Sequence, residues 1–193
     1  DLGTLDYRLI QEDGLTYVSL RSFVSSTYDN MLARYAREGA KARGSKAVIY
    51  DLRGNVGGSD SWPRKWIQSF LGTQNSIETS MLYAQKNSAL FAAENSESLL
   101  PEDEGTCFAR EVHGTWYEND IPIIVLVDDH CGSSGEGAVQ LLKTLDNVLI
   151  VGSNTAGYQL CGNISTFTLP YTGIGVRFGS TLFLYGDGEN VDH

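Results

Sequence analysis

Short apolar runs separated by turns rich in glycine and serine dominate the pattern of this chain, and the period of that pattern changes along its length. Residues 7–11 and 15–20 read as strands with Glu12, Asp13 and Gly14 between them, which predicts an opening β-hairpin. Tyr28, Leu32, Tyr35 and Ala36 then share one face of a helix that Ser25 or Ser26 caps and that ends near Gly44, with Gly39 weakening its middle. Residues 46–52 and 123–127 are nearly unbroken apolar runs with strong β propensity, the pattern of parallel strands covered on both faces. Each leads into a glycine-rich turn and then a helix. After residues 53–58, Asp60 or Ser61 offers a cap, Pro63 suits a first turn, and Trp62, Trp66 and Phe70 repeat along one face. After residues 132–135, Ala138, Leu141, Leu142 and Leu145 recur at helical spacing. Strand, glycine turn and helix thus occur twice, which predicts an α/β fold whose parallel strands point their carboxyl ends at a common crevice.

The remainder carries a weaker pattern. Residues 77–84 read as a strand, 88–100 as a short helix and 101–105 as an acidic exposed loop. Residues 148–151 read as another short buried strand, and residues 161–185 alternate like strands broken by Pro170, Gly173, Gly175 and Gly179. The closing GDGENVDH has the composition of a turn.

Composition narrows the possibilities. With 193 residues, 41% of them hydrophobic and 20% charged, the chain can bury a sizeable core and has the balance of a soluble globular protein. No apolar run is long enough to cross a bilayer. A formal charge of −10 repels nucleic-acid backbones and anionic lipid on average, and suits a peptide or neutral ligand better. Cys107, Cys131 and Cys161 are too few for a disulfide framework, and neither they nor His113, His130 and His193 show metal-ligand spacing, so no metal or cofactor is expected.

Ser133 is the candidate for chemistry, because a small residue between a buried strand and a helix N-terminus sits beside unpaired backbone N–H groups where negative charge is stabilised. A Gly-Ser-Ser-Gly turn alone is more often a plain connection. It does not match the G-x-S-x-G elbow, and residues 54–59 lack the Lys of a phosphate loop.

Four segments in fixed order resemble the C-terminal processing peptidases, also called tail-specific proteases, and the related tricorn core protease: GLTYVSLRSF (14–23), KAVIYDLRGNVGGS (46–59), IPIIVLVDDHCGSSGE (121–136) and VGSNTAGY (151–158). The resemblance implies a crotonase/Clp-protease-like fold of repeated ββα units with a mainly parallel sheet, and a single serine peptidase core over residues 1–193 within a longer protein. It places the nucleophile at Ser133, three residues before Glu136. The developing oxyanion would meet the Ser134 N–H and a second donor from Gly57 or Gly58. Glu136 reads as a structural helix residue, and Asp51, Arg53 and Asn55 as braces of the glycine turn. A peptide or protein is the implied substrate and an extracytoplasmic location the implied setting, cytoplasmic if the protein is tricorn-like.

Departures from the family pattern concern the base. Tail-specific proteases commonly place a general-base Lys where this chain has Tyr158, so a Ser–Lys dyad is not carried over. Lys143 reads as a surface residue two to three turns along the helix, and His130 as a loop residue. Tricorn-type members use a His from an earlier segment and a late Glu, for which Glu189 is the nearest candidate, with Asp187 and Asp192 as competitors. Cys131 and Cys161 flank the site and either pair or fill space, buried free thiols being the expected reading.

Overall fold

The computed structural model describes residues 7–25, 29–94 and 101–186. In chain order the elements are β1 (Arg8–Glu12), β2 (Leu15–Ser19), α1 (Asp29–Ala42), β3 (Ala47–Asp51), α2 (Ser61–Leu71), β4 (Met81–Lys86), α3 (Ala89–Glu94), β5 (Cys107–Val112), β6 (Ile123–Val127), α4 (Ser134–Leu142), β7 (Val148–Gly152), β8 (Cys161–Thr168) and β9 (Gly175–Tyr185). Among the described residues they fall into two compact units, one within residues 7–79 and 114–159, the other within residues 80–113 and 160–186.

The first unit holds a five-stranded sheet in the order β1-β2-β3-β6-β7. Strands β2, β3, β6 and β7 run parallel, and β1 is antiparallel to β2 through the expected hairpin, whose Asp13 and Gly14 both take positive φ. The fold is therefore mixed α/β with a mainly parallel sheet, as the two strand–turn–helix repeats predict. Residues Val48, Tyr50, Ile123 and Val125 bury one face completely or nearly so. Helices α1 and α2 pack together over Tyr35, Trp66 and Phe70: the Trp66 and Phe70 rings stack with centroids 5.5 Å apart, and Tyr50 meets Trp66 edge-on at 4.8 Å. Every residue of α4 is buried, which its small and apolar composition permits.

Gly39 is a packing requirement, not merely a weak point in α1. A Cβ there would lie 2.3 Å from the Trp66 carbonyl oxygen of α2, so glycine allows the two helices their close approach. Asp60 occupies the cap position of α2 but its side chain makes no capping hydrogen bond, contrary to expectation. The apolar run at 148–151 also differs from its reading as a buried strand. It forms β7, the outer strand of the sheet, with Leu149 60% exposed and Ile150 and Val151 exposed beside it.

The second unit is a four-stranded antiparallel sheet in the order β5-β4-β9-β8. Strand β4 begins four residues later than predicted, and β5 follows a stretch read only as an acidic loop. Gly175 and Gly179 do not interrupt β9: Gly179 is paired within it, and a Cβ there would stand 2.8 Å from that of Cys161 on β8. The helix expected over 88–100 is seen as α3, and its last six positions lie outside the described residues, as does the turn at 187–193. Among the described residues, no helix is long and apolar enough to cross a membrane, which leaves strand-built spans unaddressed.

Candidate active site

All of the site geometry described here lies within the first unit. Strand β6 ends at Val127, and the chain turns through Asp128 and Cys131 into α4, with Ser133 as the residue before the first helical turn. Ser133 takes φ +54° and ψ −123°, a backbone state that costs a non-glycine residue roughly 1–3 kcal/mol. Something must hold it there.

Glu136 does so. Its side chain is fully buried, and its carboxylate accepts four hydrogen bonds: from Ser133 N–H (2.7 Å) and Tyr158 N–H (3.0 Å) on Oε2, and from the Thr155 hydroxyl (2.7 Å) and Gly157 N–H (2.8 Å) on Oε1. The bond from Ser133 is one half of the capping-box arrangement that a Ser-x-x-Glu spacing produces at a helix start. The other three fasten the turn after β7 to the same carboxylate. This is the structural role expected for Glu136, extended to a second turn.

A third segment closes on the same place. Asn55, fully buried, donates from Nδ2 to the Leu20 carbonyl (2.8 Å), accepts the Gly57 N–H on Oδ1 (2.9 Å), and receives the Gly132 N–H on its own carbonyl (2.9 Å). One residue therefore ties β2, the glycine turn and the Ser133 turn together. Gly57 (φ +91°) lies so close that a Cβ would sit 2.7 Å from Ser133 Cβ and 2.9 Å from the Ser134 nitrogen. Gly58 (φ +139°) packs against the Phe23–Val24 backbone, where a Cβ would come within 2.4 Å of three atoms. Ser134 donates its hydroxyl to the Gly58 carbonyl (2.9 Å). Among the described residues, the N–H groups of Ser134 and Gly58 meet no acceptor, whereas that of Gly57 is taken by Asn55.

The base of the glycine turn is an ionic brace. Arg53 grips Asp51 with Nε at 2.9 Å and Nη2 at 2.8 Å, Tyr17 donates to the same carboxylate at 2.7 Å, and Arg21 stands 3.7 Å away. Burial alone would raise the Asp51 pKa, but these bonds and charges hold it at about 2. Asp128 completes the frame by accepting the Gly54 N–H at 2.8 Å. Asp51, Arg53 and Asn55 thus brace the turn as expected.

The candidate bases are distributed differently. His130 is exposed, and its Nδ1 pairs with the Asp129 carboxylate at 2.7 Å. Asp128, Asp129 and His130 present ligand-type atoms within 4.8 Å of one another; Asp128 accepts the N–H groups of Gly54 and His130, and Asp129 pairs with His130. Lys143 caps the far end of α4, which by helix geometry is about 13 Å from its start. Tyr158 is 69% exposed, its ring edge set against Gly132, where a Cβ would lie 3.0 Å from Tyr158 Cδ2. Glu189, with Asp187, Asp192 and His193, lies outside the described residues. Cys131 is buried, and burial first, then Glu136 and Asp128, push its thiol up to about 12. Cys161 is free and exposed, so the expectation of two buried thiols holds for Cys131 alone.

The arrangement resembles several solved structures. A peptidase candidate from Parabacteroides merdae is 22% identical over 96% of this chain and 53% of its own, with a TM-score of 0.60. A lipoprotein from Streptococcus agalactiae is 19% identical over 95% of this chain and 60% of its own, with a TM-score of 0.55. The photosystem II D1 C-terminal processing protease is 18% identical over 92% of this chain and 39% of its own, with a TM-score of 0.53. At these identities the likeness is one of fold, and the chain spans between about two fifths and three fifths of those proteins. No curated protein matches the sequence. The sequence profile of peptidase family S41 matches residues 14–192, and the chain belongs to that family.

Proposed function

We propose that the chain is the core of a serine endopeptidase in which Ser133 attacks a peptide carbonyl. The observation that carries this reading is the placement of Ser133 in a strained φ +54° turn, pinned by a buried Glu136 carboxylate and near two N–H groups that meet no acceptor among the described residues. Such strain persists only where neighbouring bonds over-determine it, and it gathers at functional positions. The oxyanion would form between the amides of Ser134 and Gly58; Gly57, whose N–H is bound by Asn55, would instead keep the space beside Ser133 clear. The Ser133 proton passes to a base, with Glu189 kept as the carboxylate that orients it, as the tricorn resemblance implies. Glu136, with four donors already on its two oxygens, is assigned to holding the turn.

An extended peptide would add as a strand beside β7, the exposed sheet edge that runs directly into the turn fastened by Glu136. On this reading residues 1–193 are one peptidase core, of the crotonase-like kind with repeated ββα units, within a longer protein that is extracytoplasmic or, if tricorn-like, cytoplasmic. No metal or cofactor takes part in the proposed steps.

Two observations favour a second reading, a peptide- or lipophile-binding module without turnover. Tyr158 stands where tail-specific proteases commonly have their base, and His130 is paired with Asp129. Reaction of the full-length protein with a serine-directed phosphonate separates the two: labelling at Ser133 supports the peptidase, and peptide binding with no labelling supports the module.

A further inference from the structure

A groove of about 630 Å³ lies between α1 and α2, on a part of the first unit that the site described above does not use. Its charged lining residues are Arg37, Arg43 and Lys65, with no carboxylate among the described residues that line it. That is unusual in a chain with 24 acidic and 14 basic side chains, where a patch drawn at random would carry more acids than bases. Gln68, Ser69, Thr73 and Gln74 add polar groups, and Trp62 gives one wall an aromatic surface.

The cations are held apart, not gathered to a point. Lys65 lies over the Trp62 ring, 4.6 Å from its centroid, near the start of α2. Arg43 is anchored at the other end, donating to the carbonyls of Ser69 (2.6 Å) and Phe70 (3.0 Å), which leaves other guanidinium donors over. At 1.5 Å per residue, Ser69 lies about 6 Å along α2 from Lys65 and about 10 Å from Trp62, over which the Lys65 ammonium sits, the length of two to three residues of extended chain. A single phosphate would need converging donors. Spaced carboxylates on one peptide match the separation instead.

We propose that this groove binds an acidic peptide segment, with glutamate or aspartate side chains two or three residues apart facing Lys65 and Arg43, and Arg37 adding a third charge from α1. A polyanion such as nucleic acid fits worse, because the chain as a whole carries −10. Helix α2 begins three residues after Gly58, so the groove starts near the glycine turn and leads away from it. If the peptidase reading holds, the bound segment belongs to the substrate, remote from the bond cleaved. The binding itself does not depend on that reading.

The test uses the full-length protein carrying Ser133→Ala, so that no peptide is consumed, and a fluorescein-labelled probe, Ala-Glu-Ala-Ala-Glu-Ala, in fluorescence anisotropy at low salt. Binding of this probe, weakened about tenfold or more by Lys65→Glu combined with Arg37→Glu and by Gln in place of both probe glutamates, is the expected result. Lys86→Glu, an exposed reversal in the other unit, should leave binding unchanged. Equal binding of the Gln probe, indifference to the paired reversal, or displacement by inorganic phosphate at concentrations below those of the peptide would overturn the proposal. Failure here with intact phosphonate labelling of Ser133 in the unsubstituted protein would leave the peptidase reading standing. The converse pattern would remove that reading and keep the groove.

Discussion

Glu136 and Ser133 are one helical turn apart, and the carboxylate of the first accepts the backbone N–H of the second at 2.7 Å while holding three donors from residues 155–158. The nucleophile turn and the turn after β7 therefore depend on one buried charge. An isosteric Glu136→Gln substitution replaces an acceptor by an NH₂ group that faces donors. The expected cost is about 2–4 kcal/mol, or a fall of roughly 4–16 °C in Tm for a chain of this size. Calorimetry checks this, and a near-native Tm would show that the turns are held by other means.

Helix propensity and packing make opposite predictions for Gly39→Ala. Alanine would favour α1 by about 1 kcal/mol in isolation. Its Cβ would press within 2.3 Å of the Trp66 carbonyl, a backbone atom that can yield only if the helices part, at about 1–3 kcal/mol or more. Packing should win. Urea denaturation of the variant should show a net loss of stability, and a gain would mean that α1 and α2 adjust freely.

Asp51 gives stability a direction with pH. Its folded pKa, about 2, is depressed because hydrogen bonds and positive charge outweigh the rise that burial alone would cause. A depressed carboxylate stabilises the fold above its unfolded pKa, near 4, and that contribution is lost as pH falls toward 2. Asp51→Asn should therefore lower stability at neutral pH by about 1–3 kcal/mol and flatten the acid side of the profile. Denaturation midpoints measured between about pH 7 and pH 2 provide the comparison. An unchanged slope would contradict the brace.

The cysteines should separate by reactivity. Cys107 and Cys161 are exposed, whereas Cys131 is buried with its thiol pushed up to about 12. Iodoacetamide near pH 8 should modify the first two in the native protein and Cys131 only after unfolding, as read by peptide mass spectrometry. Rapid native modification of Cys131 would mean that the Ser133 turn opens.

Much of the first unit was legible because its elements are local and strongly patterned. The runs at 46–52 and 123–127 became β3 and β6, and of the Trp62, Trp66 and Phe70 spacing the last two became the core face of α2, with Trp62 partly buried beside them. The Ser-x-x-Glu spacing carried the signal for the Glu136 bond to Ser133. What could not be read was long-range. The donors from Thr155, Gly157 and Tyr158 to Glu136 join segments about twenty residues apart, and Asn55 reaches the Gly132 turn from the turn after β3. The apolar run at 148–151 looks like a core strand because composition cannot show that β7 lies outermost in the sheet. The groove between α1 and α2 draws Arg37 and Lys65 from separate helices, so neither helix announces it alone.

The most direct measurement is labelling of the full-length protein with a fluorophosphonate probe, followed by peptide mapping of wild type and Ser133→Ala. The account predicts covalent label on Ser133 in the wild type and none in the variant. Labelling that survives Ser133→Ala, or a wild type that shows no label at Ser133, would contradict it.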